Sequence, residues 1–149
     1  MMPQVNESEK KRASNRSPKI TIDADHLDHI EELAENALQR NPALGDRLLD
    51  ELSRAKIVAS AKMPANVVSI GSTVTYRDDL TGQEKSATLV FPEDADISQL
   101  RVSLMTPIGV ALLGLSEGAS FYWDTRDNQR RMLTVIRVEQ PVPTVKVTN

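Results

Sequence analysis

Cysteine is absent from this chain of 149 residues. A disulfide framework and a metal site built on thiolates are therefore both excluded. No apolar run approaches the roughly 20 residues that a membrane-spanning helix needs, and the first residues lack the apolar stretch of a secretory signal. These absences favour a soluble, cytoplasmic protein that has no membrane partner.

Aromatic side chains are also scarce, since the chain has two Phe, two Tyr and one Trp. Hydrophobic residues still make up 40% of the sequence, which is enough to build a core. That core must rest on aliphatic side chains and methionine. The length suits one medium-sized domain, or a small domain with an appendage.

The net charge of −3 is unevenly distributed along the chain. Residues 1–19 carry five Lys or Arg and two Glu, whereas residues 20–62 carry nine acidic and five basic side chains. Because affinity for nucleic acids depends mainly on neutralising phosphates, the acidic body argues against direct, sequence-specific nucleic-acid binding. Residues 1–19 have no apolar periodicity, so we expect a disordered basic tail there and an irregular tail over 142–149.

Residues 20–62 show the apolar spacing of two amphipathic helices. The first helix is predicted to begin at a cap formed by Thr21 or Asp23. Its apolar stripe comprises Leu27, Ile30, Leu33, Ala34, Ala37 and Leu38. The second stripe comprises Leu48, Leu52, Ala55 and Ala59. Each stripe is typical of a helix that packs on a partner helix.

Pro42 and Gly45 separate the two stripes, and we interpret both as helix breakers within a short loop. Two helices joined by a short loop form an antiparallel hairpin, here a short coiled coil within residues 20–62. A hairpin of this length, with alanines in its seam, is marginally stable on its own. We therefore expect it to dock on the domain that follows.

From residue 63 onward the hydrophobic period changes from that of a helix to that of a strand. Strands are predicted around Val74–Tyr76, Ala87–Phe91, Leu100–Leu104, Phe121–Trp123 and Arg131–Val138. Asp78–Gly82 and Thr125–Asn128 are predicted as hairpin turns. The expected fold class is α+β, in which residues 63–141 form a mostly antiparallel sheet of about five strands wrapped around one short helix.

The short helix is predicted at a corner between two strands. Pro107 fixes φ where a strand gives way to a helical turn. Gly109 and Gly114 allow close backbone approach, and Gly118 suits the positive φ that ends the unit. The apolar residues between these glycines predict a helix that is largely buried.

Three motifs follow one another along the chain: Met63–Val68, Val74–Asp78 and Leu104–Leu115. In this order and spacing they resemble the Gre family of bacterial transcript-cleavage factors, and the Rnk-type branch of Gre-like regulators more closely still. The resemblance covers residues 19–140. It implies an FK506-binding-protein-like sheet domain preceded by a short coiled-coil hairpin. It also implies a monomer whose sheet domain docks at the rim of the RNA polymerase secondary channel, with the hairpin directed toward the pore.

In Gre factors the contact with the rim involves an acid-Ser-Pro sequence at this corner. The matching residues here are Met105, Thr106 and Pro107, so that a soft thioether replaces the acid. The resemblance thus implies a polymerase-binding surface at Met105, Thr106, Pro107 and Ile108. The alternative is that these residues only turn the chain.

Gre factors also carry an Asp-x-x-Glu pair at the hairpin tip, where two carboxylates lie beside the catalytic metal of the polymerase. The corresponding tip residues here are Leu44, Asp46, Arg47 and Asp50, and Leu49 stands three residues after Asp46. The pair is therefore missing, which predicts a protein without catalytic residues, bound metal or cofactor. Asp46 and Asp50 share one helix face and leave a metal site open as an alternative, although acids near a helix N-terminus are usually caps.

His26 and His29 are the only histidines and lie three residues apart on the first predicted helix. This spacing is compatible with a metal site. Their acidic neighbours Asp25 and Asp28 are more typical of a solvated helix face, which we predict.

The favoured function is a non-catalytic transcription regulator that binds core RNA polymerase at the rim of the secondary channel and competes with Gre-type factors. Because Rnk-type proteins are known as regulators of nucleoside diphosphate kinase, an indirect effect on the level of that kinase is implied. Three alternatives stay open: weak transcript cleavage, prolyl isomerase activity of the sheet domain, and direct binding of nucleoside diphosphate kinase. Fold alone does not decide between them.

Overall fold

The structure, a computed structural model, describes residues 19–124 and 130–141. The predicted tail over 142–149, the turn at Thr125–Asn128 and all of the predicted tail over 1–19 except Lys19 lie outside these residues. The elements in chain order are β1 (Thr21–Asp23), α1 (Ala24–Arg40), α2 (Pro42–Ser53), β2 (Lys56–Val58), β3 (Thr73–Asp78), β4 (Glu84–Val90), β5 (Arg101–Ser103), α3 (Pro107–Leu112), β6 (Ser120–Asp124) and β7 (Arg130–Glu139). Short 3₁₀ turns lie at Ser60–Lys62, Pro92–Asp94 and Ile97–Gln99.

The two predicted helices are present and their ends have clear local causes. Asp23 caps α1, since its side chain accepts a hydrogen bond from the Asp25 amide at 2.8 Å. Asn41 is the single residue between the helices, and its side chain accepts from the amide of Leu44. Pro42 opens α2, where the missing N–H costs nothing because no helical partner exists for it. One of the two proposed caps, Asp23, is thereby confirmed.

The sequence suggested that Gly45 breaks the helix. Instead, Gly45 lies buried inside α2. A Cβ atom at this position would lie 2.9 Å from both the Ala34 carbonyl oxygen and the Leu38 nitrogen of α1. The absence of a side chain therefore lets the two helix backbones approach closely. This glycine is a packing residue.

The second helix is shorter than its apolar stripe predicted. It ends at Ser53, and Ala55 and Ala59 lie beyond it. Residues 56–58 instead form β2, which pairs in parallel with β1, from Thr21 opposite Lys56 to Asp23 opposite Val58. The β-branched pair Ile57 and Val58 suits a strand better than a helix. Residues 20–62 are thus a strand-helix-helix-strand unit, which corrects the description as a helical hairpin alone.

The main sheet has five strands in the order β5-β4-β3-β7-β6. All neighbouring pairs are antiparallel except β4 and β5, which run parallel. The sheet is therefore mixed but mostly antiparallel, and the expected sheet of about five strands is confirmed. A parallel pair needs a crossover connection, which the two 3₁₀ turns between β4 and β5 supply.

Of two local predictions for the sheet, one is confirmed and the other is wrong. The turn at Asp78–Gly82 is present, with the Gly82 amide donating to the Asp78 carbonyl at 2.7 Å and Gly82 at φ 78°. Leu100, however, was expected in a strand. It has φ 60° and is 60% exposed, so β5 begins only at the next residue.

One hydrophobic core joins the helix pair to the sheet. Its fully buried members come from both parts of the chain, and they include Ile22, Ile30, Ala34, Leu48, Val74, Leu89, Leu104, Leu112 and Val135. The docking of the helices on the sheet, expected from their marginal length, is confirmed. No helix within residues 19–124 and 130–141 combines the length and apolar character needed to cross a membrane.

Candidate functional site

The corner at Met105–Ile108 is held together by side-chain hydrogen bonds to its own backbone. The Thr106 hydroxyl donates to the Ser103 carbonyl at 2.8 Å and accepts from the Gly109 amide at 3.1 Å. The Met105 amide donates to the Ser103 hydroxyl at 2.9 Å. The Thr106 side chain therefore acts as the N-cap of α3. Its hydroxyl is engaged in forming the turn.

Two glycines let the corner pack tightly. A Cβ atom on Gly109 would lie 2.8 Å from the Leu104 carbonyl oxygen, and one on Gly114 would lie 2.5 Å from the Ile20 Cβ. Gly114 also has φ 81°, and Gly118 has φ 89°. The close approach predicted for Gly109 and Gly114, and the positive φ predicted for Gly118, are confirmed.

The Met63–Val68 motif has a structural role beside this corner. The Val68 amide donates to the Leu115 carbonyl, and the Gly114 amide donates to the Val68 carbonyl, both at 2.8 Å. The Gln140 side-chain amide donates to the carbonyls of Ala65 and Val67. The motif thus ties the end of β7 to the exit of α3.

The four corner residues, Met105 to Ile108, differ in their exposure to solvent. Pro107 is exposed, whereas Met105, Thr106 and Ile108 are half-buried. Met105 and Ile108 pack against the core with part of their surface. Because the Thr106 hydroxyl is engaged in hydrogen bonds within the corner, the corner surface that a partner could contact is mainly apolar.

The four predicted tip residues lie along α2, beyond the turn between the helices. Leu44 and Arg47 are half-buried, and Asp46 and Asp50 are exposed. Asp50 Oδ2 accepts a hydrogen bond from the Arg54 guanidinium at 3.3 Å. Within the described parts of the chain, no three or more His, Cys, Asp or Glu side chains come together as a possible metal site.

The structure brings the predicted tip and the predicted corner together. Leu44 of α2 and Met105 of the corner line one groove of about 620 Å³, which runs between the end of α1 and the sheet domain. The other lining residues are Leu33, Asn36, Ala37, Gln39, Arg40, Asn41 and Pro92. Sequence reasoning placed the tip and the corner in separate functional parts. Only the stripe residues Leu33 and Ala37 signalled that this end of α1 packs on something.

The two histidines contact the sheet domain, a role that the sequence did not reveal. The rings of His26 and His29 meet the Phe91 ring edge-on, with centroids 5.9 and 4.3 Å away. His29 Nε2 also lies 3.7 Å from Glu93 Oε2. The expected solvated face is therefore wrong in part, because this side of α1 is a contact with the segment after β4.

Comparison with known proteins places both halves of the chain in one family. A family model described as the C-terminal domain of the transcription elongation factors GreA and GreB matches residues 63–140, and one described as the Rnk N-terminus matches residues 18–58. A regulator of nucleoside diphosphate kinase from Escherichia coli is 33% identical over 122 residues, covering 82% of this chain and 90% of that protein.

Further relatives agree with this assignment. The transcription elongation factor GreA of Brucella anthropi is 34% identical over 57% of this chain and 54% of that factor. The solved structure of a prokaryotic transcription elongation factor GreA/GreB from Nitrosomonas europaea is similar with a TM-score of 0.65 at 32% identity, covering 82% of this chain and 98% of that one. The chain therefore belongs to the Gre-like family of transcription factors, in the branch that carries the Rnk N-terminus.

Proposed function

We propose that this protein is a non-catalytic regulator that binds core RNA polymerase at the rim of the secondary channel and competes there with Gre-type factors. The polymerase as partner is supported by family membership over residues 18–58 and 63–140. The contact surface is the corner at Met105–Ile108. Since the Thr106 hydroxyl is engaged internally, this surface binds through Met105, Pro107 and Ile108, by apolar contact.

The packing of the helix pair is the observation that carries the non-catalytic part of the proposal. The start of α1 contacts Phe91 through its histidines, and the end of α1 shares a groove with Pro92 and Met105. The helix therefore contacts the sheet domain near its start and lies beside it, across the groove, at its end. A tip held this close to the body is poorly placed to carry carboxylates to a distant metal. Occupation of a shared docking surface fits this shape better than transcript cleavage.

The test is competition on purified core polymerase. The protein should co-migrate with core enzyme at micromolar concentration, and it should displace a fluorescently labelled Gre factor. Stalled elongation complexes should keep their transcript length when the protein is added. Pro107→Glu places a charge on the exposed corner, where an acid at the first helical position is compatible with α3. It should weaken binding at least about tenfold, as expected for an interface anchor.

Lys85→Glu is the matched control, because Lys85 is exposed and lies on β4 away from the corner. This variant should bind as the parent protein does. Absence of any complex at micromolar concentration would refute the proposal, and shortening of the transcript would show a cleavage factor instead.

The effect on nucleoside diphosphate kinase is proposed to be indirect, through transcription. In a deletion strain the transcript and the protein level of the kinase should change together. A change in kinase activity on mixing the two purified proteins would instead demonstrate direct binding.

A further inference from the structure

We infer that the open edge of β2 binds a segment of the same chain, residues 144–148, as a third strand that runs antiparallel to β2. These residues belong to the tail over 142–149, which was expected to be irregular and lies outside the described part of the chain. The added strand ties the end of the sheet domain to the base of the helix pair. This inference is independent of the proposed function.

The strand β2 has one partner and one open edge. Among the described residues, β2 pairs only with β1. The Lys56 amide donates to the Ile20 carbonyl at 2.9 Å, so the backbone groups of Lys56 face β1. Because successive residues of a strand point their backbone groups to opposite sides, the N–H and C=O of Ile57 face away from β1. An edge of this kind is a template for a further strand.

The side chains on this edge favour a strand of the same molecule as the occupant. Ile57 is 40% exposed although it belongs to a strand, and a valine on an added strand would cover it. Lys56 is also exposed. A lysine on an edge strand discourages pairing with other molecules. A tethered segment of the same chain has a high effective concentration and overcomes this obstacle more easily.

The start of the tail is fixed in position by the residue before it. The Gln140 side chain accepts a hydrogen bond from the Ser72 hydroxyl at 2.7 Å. It also donates to the carbonyls of Ala65 and Val67 at 2.9 and 2.8 Å. The next residue, Pro141, is therefore held beside the Met63–Val68 motif.

This exit point lies near the end of β2. Pro141 and Ser60 line one cavity of about 410 Å³, and Ser60 follows the last residue of β2 by two positions. From Pro141 to Val147 an extended chain spans roughly 20 Å. From Ser60 back to Ile57 a strand spans only roughly 10 Å. The tail can therefore reach the open edge, and it passes β2 from its end toward its start, which makes the pairing antiparallel.

The tail has the sequence pattern of a strand. Thr144–Thr148 alternates valine with polar residues, and all but Lys146 are β-branched, as is typical of strands. Pro143 has no N–H to donate, so the pairing begins after it.

The charges select the register of the pairing. If Val145 lay opposite Ile57, Lys146 would lie opposite Lys56, and like charges in that position are destabilising. If Val147 lies opposite Ile57, Lys146 is opposite Val58 and the two lysines are separated. We therefore place Val147 opposite Ile57.

The absence of cysteine makes a cross-link in the full chain the direct test. Directly opposite residues of an antiparallel pair have Cα atoms about 5.5 Å apart, a distance that suits a disulfide. The double variant Ile57→Cys with Val147→Cys should form a disulfide within one molecule on mild oxidation, seen by electrophoresis without reductant. Lys85→Cys with Val147→Cys is the matched control, because Lys85 is exposed and lies on β4. The control should cross-link at least about fivefold less, because the effective concentration of the tail is lower there.

Hydrogen exchange of the Ile57 amide, followed by NMR, tests the pairing without cysteines. Val147→Pro removes the N–H opposite Ile57 and should speed exchange of the Ile57 amide at least about tenfold, because the pairing opens. Lys146→Pro is the control, because in this register its N–H faces solvent, where an edge strand tolerates proline. Exchange in this control should stay within about twofold of the parent protein.

Circular dichroism verifies that each variant is folded, and the exchange measurement carries the test if a cysteine variant does not fold. If the Ile57/Val147 pair cross-links no more than the control pair, the tail does not occupy the edge and the inference is wrong. Exchange at Ile57 that is unchanged by Val147→Pro has the same meaning. A disulfide formed between two molecules would show a second copy on this edge and would also overturn the inference.

Discussion

Leu100 is the residue whose backbone conformation is least expected from its side chain. Its φ of 60° lies in the left-handed region, which costs a residue with a Cβ roughly 1–2 kcal/mol. The turn is fixed by its backbone, because the Leu100 amide donates to the Ile97 carbonyl and the Arg101 amide donates to the Asp96 carbonyl. With 60% of the residue exposed, burial offsets little of this cost.

Substitutions at Leu100 should therefore follow backbone preference rather than hydrophobicity. Leu100→Asn should leave the free energy of unfolding unchanged or raise it, because Asn adopts the left-handed region readily. Leu100→Val should lower it by about 1 kcal/mol relative to Asn, because a β-branched residue is strained there. Urea unfolding of the two variants measures the difference. A Val variant at least as stable as the Asn variant would contradict this explanation.

At the scale of the elements, the sequence located both helices but misread the residue that sets their distance. The stripes of α1 and α2 are local patterns, and Ile30, Ala34, Leu48 and Leu52 are buried as predicted. A glycine inside a helical pattern has no local sign that tells a break from a close contact. For Gly45 the deciding neighbour is Ala34 on the other helix.

Gly45→Ala should destabilise the protein even though Ala is the better helix former. Helix propensity alone would favour Ala by about 1 kcal/mol. The new methyl group would press on the backbone of α1, and overpacking of this kind costs about 1–3 kcal/mol. Ala43→Gly, at an exposed position of the same helix, is the control and should lose only the propensity term. Thermal unfolding measures both, and a Gly45→Ala variant more stable than the parent would show that the helices can move apart freely.

At the scale of the whole molecule, the sequence predicted the helix pair, the sheet domain and their docking. It did not predict which residues of the two come together. The Met105–Ile108 corner could be found from its motif, because Pro107 and Gly109 act on neighbouring residues of the chain. The groove could not, since Leu44 and Met105 are far apart in the chain and are joined only by the tertiary fold. The parallel pairing of β1 and β2 likewise depends on residues that the helix pair brings together.

The shared core predicts that the molecule unfolds as one unit. Ala34 and Leu48 of the helices belong to the same core as Val74 and Val135 of the sheet. Thermal unfolding followed by circular dichroism at a helix-sensitive wavelength should therefore coincide with unfolding followed by Trp123 fluorescence, as expected for a two-state domain. An earlier loss of the helical signal would indicate that the helix pair is an independent appendage.

The β1–β2 pairing holds the start of α1 and the end of α2 side by side. At the opposite end of the helix pair, the connection is the single residue Asn41. The length of α1 and α2 can therefore change without any change in the β1–β2 pairing. Equal numbers of turns added to α1 and α2 on either side of Asn41 would lengthen the pair at the end opposite β1 and β2. A shorter and a longer helix pair can thus be built on the same β1–β2 pairing.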